Sequence, residues 1–235
     1  MRADSIAVSP DGSQVVTGSS TGQVWLWDLA TGKVLREFDE LPAGVESLIW
    51  SADGEMIAAG ARYSGFTVFR VDGTKLFGHA NDHRHESILF SLDSTQLYVP
   101  TRECIKVWDI ASQQISHALN TDRISNVRSI CWAGPDNRWL IAGERHSETL
   151  IVIDVEARQT IGSFNVGAEY ACSLAGSPDG RWLAAAYANG RVQLIRLSES
   201  STGIVHGEVK LRFAPHEYSE EENRPTIVHW LDSDR

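Results

Sequence analysis

The chain has 235 residues, 42% hydrophobic and 22% charged, the composition of an ordinary soluble globular protein with one sizeable domain or two small ones. Its formal charge of −10 argues against a general nucleic-acid binder, because neutralising phosphates takes clustered Lys and Arg, although a local basic patch is compatible with it. No uncharged run approaches the roughly 18 apolar residues of a membrane span, and Met1-Arg2-Ala3-Asp4 leads straight into a strand pattern instead of a signal-peptide core.

The first elements set a pattern. Ser5-Ile6-Ala7-Val8 reads as a short apolar strand closed by the turn Pro10-Asp11-Gly12, and Gln14-Val15-Val16-Thr17 as a second, ended by Gly18 and a polar link. Gln23-Val24-Trp25-Leu26-Trp27 is a third strand, β-branched and aromatic. Ala30-Thr31-Gly32 turns it into Lys33–Phe38, a fourth that alternates apolar and charged residues like a half-solvated edge. Further along, third strands are expected at 66–69, 105–108, 150–153 and 192–195, and fourth strands at 74–77, 114–119, 158–164 and 208–213, the last after a polar loop over 198–207. No segment sustains apolar residues at helical spacing, so the chain reads as all-β.

The turn before each second strand recurs: Ser9-Pro10-Asp11-Gly12, Ser51-Ala52-Asp53-Gly54, Ser91-Leu92-Asp93-Ser94, Gly134-Pro135-Asp136-Asn137 and Ser177-Pro178-Asp179-Gly180. Their aspartates are 42, 40, 43 and 43 residues apart. A period of this size marks one supersecondary unit repeated, each needing its neighbours to bury its faces. The three cysteines, Cys104, Cys131 and Cys172, are odd in number and in no C-x-x-C arrangement, which reads as reduced thiols in strands and a cytoplasmic protein.

Trp27-Asp28 and Trp108-Asp109 end third strands, and Gly78-His79 precedes a first strand. With the repeated turns, these features make the chain resemble the WD-repeat β-propellers, whose blades are four-stranded sheets, and Trp27-Asp28-Leu29-Ala30-Thr31-Gly32-Lys33 resembles the bacterial branch. The resemblance implies five blades at about 4–38, 45–77, 86–119, 127–164 and 170–213. Phe69-Arg70, Ile153-Asp154 and Ile195-Arg196 depart from the Trp-Asp pair. Where the family often has an Asp before the third strand, hydrogen-bonded to a His and linked to the Trp, this chain has Thr21, Ser64, Arg102, Ser147 or Asn189. That polar network is therefore expected to be incomplete, with apolar packing in its place.

After an acidic loop over 214–225, Thr226-Ile227-Val228-His229-Trp230-Leu231-Asp232-Ser233 reads as another first strand and its turn. Two readings stay open: five blades and the start of a sixth in a partial propeller, or a closed five-bladed ring with 226–235 as a tail. An open ring would leave apolar faces that favour self-association or completion by further blades.

Arg62, Arg102 and Arg145 stand two residues beyond the Gly or Pro that ends three successive second strands. Equivalent positions at equal radius would form an arc on the loop face near the channel mouth, which in the resembling family is a frequent docking surface. Guanidiniums there suit an acidic or phosphorylated peptide, while Glu103 and Glu144 are local acids that would pair with them instead. Tyr63, Tyr170 and Tyr187 are candidate anchors, or strand-end packing. Trp50, Trp132 and Trp230 end first strands while Trp139 and Trp182 begin second strands, places for inter-blade packing. The run His79–His85 invites a metal reading, but its spacing fits no zinc framework, and no metal or cofactor is expected.

The residues favour a non-catalytic interaction scaffold that docks a peptide or protein domain, with neither nucleic acid nor membrane as partner. A regulatory segment of a larger protein is the alternative, and a propeller enzyme the third reading. Asp11, Asp53, Asp93, Asp136 and Asp179 recur in every unit, so turn-making accounts for them better than acid–base chemistry does.

Overall fold

The computed structural model describes residues 3–80, 87–119, 126–145, 147–167, 170–187 and 189–213. Among them, twenty strands pair into five four-stranded antiparallel sheets, each in simple chain order. The first sheet is β1 (Ala3–Val8), β2 (Gln14–Ser19), β3 (Val24–Asp28) and β4 (Val34–Glu37), and the second is β5 (Val45–Trp50), β6 (Met56–Ala61), β7 (Gly65–Arg70) and β8 (Lys75–His79). The third is β9 (Leu89–Phe90), β10 (Gln96–Pro100), β11 (Ile105–Asp109) and β12 (Gln114–Leu119). The fourth is β13 (Val127–Ala133), β14 (Trp139–Glu144), β15 (Thr149–Asp154) and β16 (Gln159–Asn165), and the fifth is β17 (Ala171–Gly176), β18 (Trp182–Tyr187), β19 (Val192–Glu199) and β20 (Val205–Phe213). The expected all-β architecture holds, and the segment 226–235 lies outside the described residues.

The chain divides into two compact units, 1–100 with 106–118, and 101–105 with 119–235. In the first, Val16, Val24, Leu26 and Phe38 pack against Trp50, Ile57 and Phe69 of the next sheet. Met56, Val68 and Phe66 meet Phe90, Leu97, Val99 and Trp108 in a second cluster. In the second unit, Cys131, Trp139, Ile141, Leu150 and Val152 pack against Leu174, Leu183, Ala185, Ile195 and Val205. Each sheet is thus apolar on the face a neighbour covers, which is where burial contributes its stability.

The recurring turn is built by two side chains. In the second sheet, the buried Ser51 Oγ accepts the Met56 N–H at 2.9 Å and donates to Asp53 Oδ1 at 2.5 Å, while Ser51 N–H donates to Met56 O at 2.9 Å. Ser9, Ser91 and Ser177 repeat the pattern with Asp11, Asp93 and Asp179. The fourth sheet differs: its turn holds a short 3-10 turn at Pro135–Asn137, with Asp136 and Asn137 left-handed. Ser51→Ala strips the Met56 N–H of its side-chain acceptor. A loss of about 1–3 kcal/mol is expected, seen as a melting temperature lower by roughly 5 °C. A melt within 1 °C of wild type would show that the hydroxyl is dispensable.

The Asp of the Trp-Asp pair has the same local task. Asp28 Oδ1 accepts the Thr31 N–H and hydroxyl at 2.7 and 2.6 Å, and Asp109 does so with Ser112 at 2.7 and 2.6 Å. One expectation is corrected at 198–207: β19 and β20 continue pairing through Ser198↔His206 and Glu199↔Val205, leaving only a tight turn. Ser200 Oγ accepts the Ile204 N–H at 3.1 Å, and Gly203 supplies the left-handed residue at φ 77°, so polar composition here marks a hairpin tip instead of a long loop.

Candidate functional site

In the first unit, the chain leaves β6 at Ala61 and re-enters at its register partner Gly65, so Arg62, Tyr63 and Ser64 form a three-residue loop. So short a return needs left-handed backbone, found at Tyr63 (φ 52°) and Gly65 (φ 93°). A Cβ at Gly65 would run into the carbonyl of His79. Tyr63, a bulky residue in a region bulky residues rarely hold, presents a ring that is 57% exposed. Arg62 is held twice: its N–H donates to Gly44 O at 2.8 Å and its Nε to Glu46 Oε1 at 2.8 Å. Glu46 is 9% exposed while Arg62 is 59% exposed, so an almost buried carboxylate fixes an outward guanidinium.

In the second unit, Asn126 links the other two arginines through the backbone. Its N–H donates to Arg102 O and its carbonyl accepts the Arg145 N–H, both at 2.9 Å. Arg102 is exposed and Arg145 half-buried. Close by in sequence, the Arg128 guanidinium lies over the ring of the half-buried Tyr170, 4.9 Å from its centroid. The structure therefore brings Arg102 and Arg145 together around one residue, while Arg62 stands on its own edge in the first unit.

Glu46 and Arg128 escaped sequence reasoning. Both are the extra residue of a β-bulge: register shifts fall at Ala3/Ser5, Val45/Ser47, Val127/Ser129 and Ala171/Ser173, skipping Asp4, Glu46, Arg128 and Cys172. A bulge re-aims the side chain it carries. The signal available in the sequence is the serine that follows each one, at 5, 47, 129 and 173.

Tyr187 is corrected outright. It has no exposed surface, its hydroxyl donates to Gln193 Oε1 at 3.0 Å, and Gln193 Nε2 donates in turn to Val166 O at 3.1 Å. Burial pushes the phenol well above its usual range, only slightly opposed by the Arg212 charge. A side chain so enclosed is core and offers nothing to a partner.

Trp50 and Trp139 are buried, with Trp50 Nε1 donating to Ala7 O of the preceding sheet at 3.1 Å, while Trp132 and Trp182 are half-buried. The polar network expected to be incomplete is reduced to single links. Trp27 Nε1 donates to Thr17 Oγ1 at 2.8 Å, whereas the buried Trp108 Nε1 has no hydrogen-bond partner and packs among Phe66, Phe77 and His79. Of the His79–His85 run, residues 81–85 lie outside the described residues. Among the described residues, no group of three or more His, Cys, Asp or Glu is placed to hold a metal. Cys104 and Cys131 are buried free thiols, and burial pushes Cys131 up to about 12.

Residues 4–28 and 160–196 match the family model described as WD40: WD domain, G-beta repeat. Pre-rRNA-processing protein IPI3 of Mycosarcoma maydis is 37% identical over 68 residues, 29% of this chain and 12% of that protein. Protein ROOT INITIATION DEFECTIVE 3 of Arabidopsis thaliana is 22% identical over 73% of this chain and 40% of its own length. The human U3 small nucleolar RNA-associated protein 4 homolog is 30% identical over 53% of this chain and 17% of its own length. The chain thus spans less than half the length of these relatives. Among solved structures, the β-propeller domain of Myceliophteria thermophila Cps50 (Swd1) superposes with a TM-score of 0.79 at 16% identity, over 92% of this chain and 74% of that one. Kuenenia stuttgartiensis hydrazine synthase does so at 0.74 and 19%, over 87% and 65%. At such identities the likeness is one of fold: a β-propeller of four-stranded blades.

Two expectations are corrected by the relatives. The exclusion of nucleic acid is overturned by proteins named for pre-rRNA processing and for association with U3 small nucleolar RNA. Net charge is a bulk quantity and does not decide what a local surface meets. The cytoplasmic placement is overturned by the same names, which point to the nucleolus. Free thiols separate reducing from oxidising compartments, and the nucleus is as reducing as the cytosol.

Proposed function

The chain belongs to the WD40-repeat family, and we propose that it is a non-catalytic protein-interaction scaffold that docks a peptide or protein domain on the loop face at its second-strand ends. The observation that carries this reading is the repeated anchoring of arginine there: Arg62 N–H to Gly44 O and Arg145 N–H to Asn126 O, each 2.8–2.9 Å, with Arg102 tied to the same Asn126. Backbone fixed in this way presents guanidiniums at little entropic cost, and the neighbouring Tyr63 and Tyr170 supply contact area. The carboxylates that might serve catalysis are instead saturated by turn donors, as at Asp11, Asp53, Asp93 and Asp179. The relatives' names suggest a ribonucleoprotein assembly as the setting. Their greater length favours a second reading, in which these repeats are the docking segment of a larger protein.

The test is affinity purification of the wild-type chain beside the Arg62/Arg102/Arg145→Glu variant, with quantitative mass spectrometry and a parallel arm treated with ribonuclease. The triple variant is expected to lose its partners at least tenfold while melting within about 2 °C of wild type, as exposed charges contribute little to stability. The same partners recovered at the same yield would move docking to another surface. Partners lost on ribonuclease treatment alone would show that RNA, and not a protein surface, makes the bridge.

A further inference from the structure

The fifth sheet carries an apolar face whose counterpart in every comparable sheet is covered. Cross-strand register partners lie on one face of an antiparallel sheet, and one row here runs Ala175–Ala184–Leu194–Leu211, beside a second, Ala186–Val192–Phe213. Leu211 and Phe213 are 53% and 52% exposed. In the fourth sheet the matching row is Cys131–Ile141–Val152–Gly162, and it is buried beneath the fifth. At Gly162 the covering sheet comes so near that a Cβ would run into Val205 O. In the first sheet the matching row Ala7–Val16–Leu26 lies beneath the second, and Trp50, which ends the second sheet's first strand, bonds back to Ala7 O. The cover always comes from the next stretch of chain, and its first strand makes the contact.

We propose that the Ala175–Leu211 face is the seat of Thr226–Ser233. This segment has the sequence of a first strand, with β-branched Thr226, Ile227 and Val228, and Trp230 standing where Trp50 and Trp132 stand. The twelve residues 214–225 reach about 40 Å when extended, and seven, 120–126, suffice for the same step between β12 and β13. Seated there, Trp230 donates its indole N–H toward the carbonyl of Ala175, the counterpart of Ala7, and Ile227 and Val228 offer apolar area to Leu194, Leu211 and Phe213. The seat thus accepts a β-branched strand closed by an aromatic residue, and the chain itself supplies one.

Hydrogen–deuterium exchange on the full-length chain, with light scattering on the same sample, tests this. Peptides covering 226–233 are expected to exchange at least tenfold more slowly than the same sequence free in solution. Leu211→Asp is expected to abolish that protection, whereas Arg212→Ala, whose register partner Gln193 faces the other way, leaves it intact. Trp230→Ala does not touch the fifth sheet, so it guards against a merely misfolded variant. It is expected to speed exchange of the segment and of 208–213 together. Free exchange of 226–233 in the wild-type monomer would overturn the proposal. So would a dimer in which 208–213 is protected while 226–233 exchanges freely, since a second copy would then be the cover.

Discussion

Tyr187→Ala is expected to lower the melting temperature by roughly 10–15 °C. Removing a large buried aromatic side chain costs about 3–5 kcal/mol, and in a chain of this size each kcal/mol shifts the midpoint by about 2–4 °C. The ring is among the largest fully buried side chains and sits in the cluster that joins the fourth and fifth sheets. Tyr187→Phe separates packing from hydrogen bonding. It keeps the ring but leaves Gln193 Oε1, 2% exposed, without its donor, at a cost of about 1–3 kcal/mol. The same variant is expected to bind partners as wild type does, because the hydroxyl never reaches the surface. A Phe variant that melts like wild type yet loses its partners would reverse the assignment of Tyr187 to the core.

Acid is expected to unfold the chain between about pH 4 and pH 2, with stability nearly level from pH 7 down to 5. Asp11 is lowered to about 2 by the Ser9 hydroxyl, then by the Ser13 N–H and hydroxyl. Asp93 and Asp179 are lowered chiefly by Ser91 and Ser177. Burial alone would raise Asp53, but the Ser51 hydroxyl and the Glu55 N–H outweigh it. Asp28 and Asp109 are lowered by Thr31 and Ser112. A carboxylate whose folded pKa lies below its unfolded value of about 3.9 stabilises the fold above that value. The contribution then drains away as pH falls through the folded pKa, because the unfolded chain binds the extra protons. Thermal melts from pH 7 to 2.5, run beside an Asp11/Asp93/Asp179→Asn variant, isolate this effect from general charge repulsion, which both chains share. The variant is expected to be less stable at neutral pH and to lose less on acidification. Equal slopes in the two chains below pH 4 would place the acid sensitivity elsewhere.

The turns and the strands between them were legible in the residues because their chemistry is local. A Ser two positions before an Asp can close a turn with a hydroxyl and a carboxylate whatever surrounds it, as Ser51 and Asp53 do. Alternation and β-branching set the strands with almost the same reach. The arginines at second-strand ends were likewise found by counting, since a repeat puts equal positions in equal places. What they touch was not: Glu46 lies sixteen residues from Arg62 in the chain and meets it only across a bulged strand pair.

The sequence by itself determined the repeat, the strand order within each sheet, the turn chemistry and the family. The tertiary structure alone decided what is inside. Ile6, Ile88, Ile130 and Leu174 occupy one position of the repeat, yet Ile6 is 65% exposed while the others are 3%, 2% and 7% exposed. Tyr63 and Tyr187 stand near the ends of the second strands of two different sheets, and one faces solvent while the other is enclosed. Burial is a property of the neighbouring sheet and not of the residue, so identical local patterns part company wherever the packing around them differs.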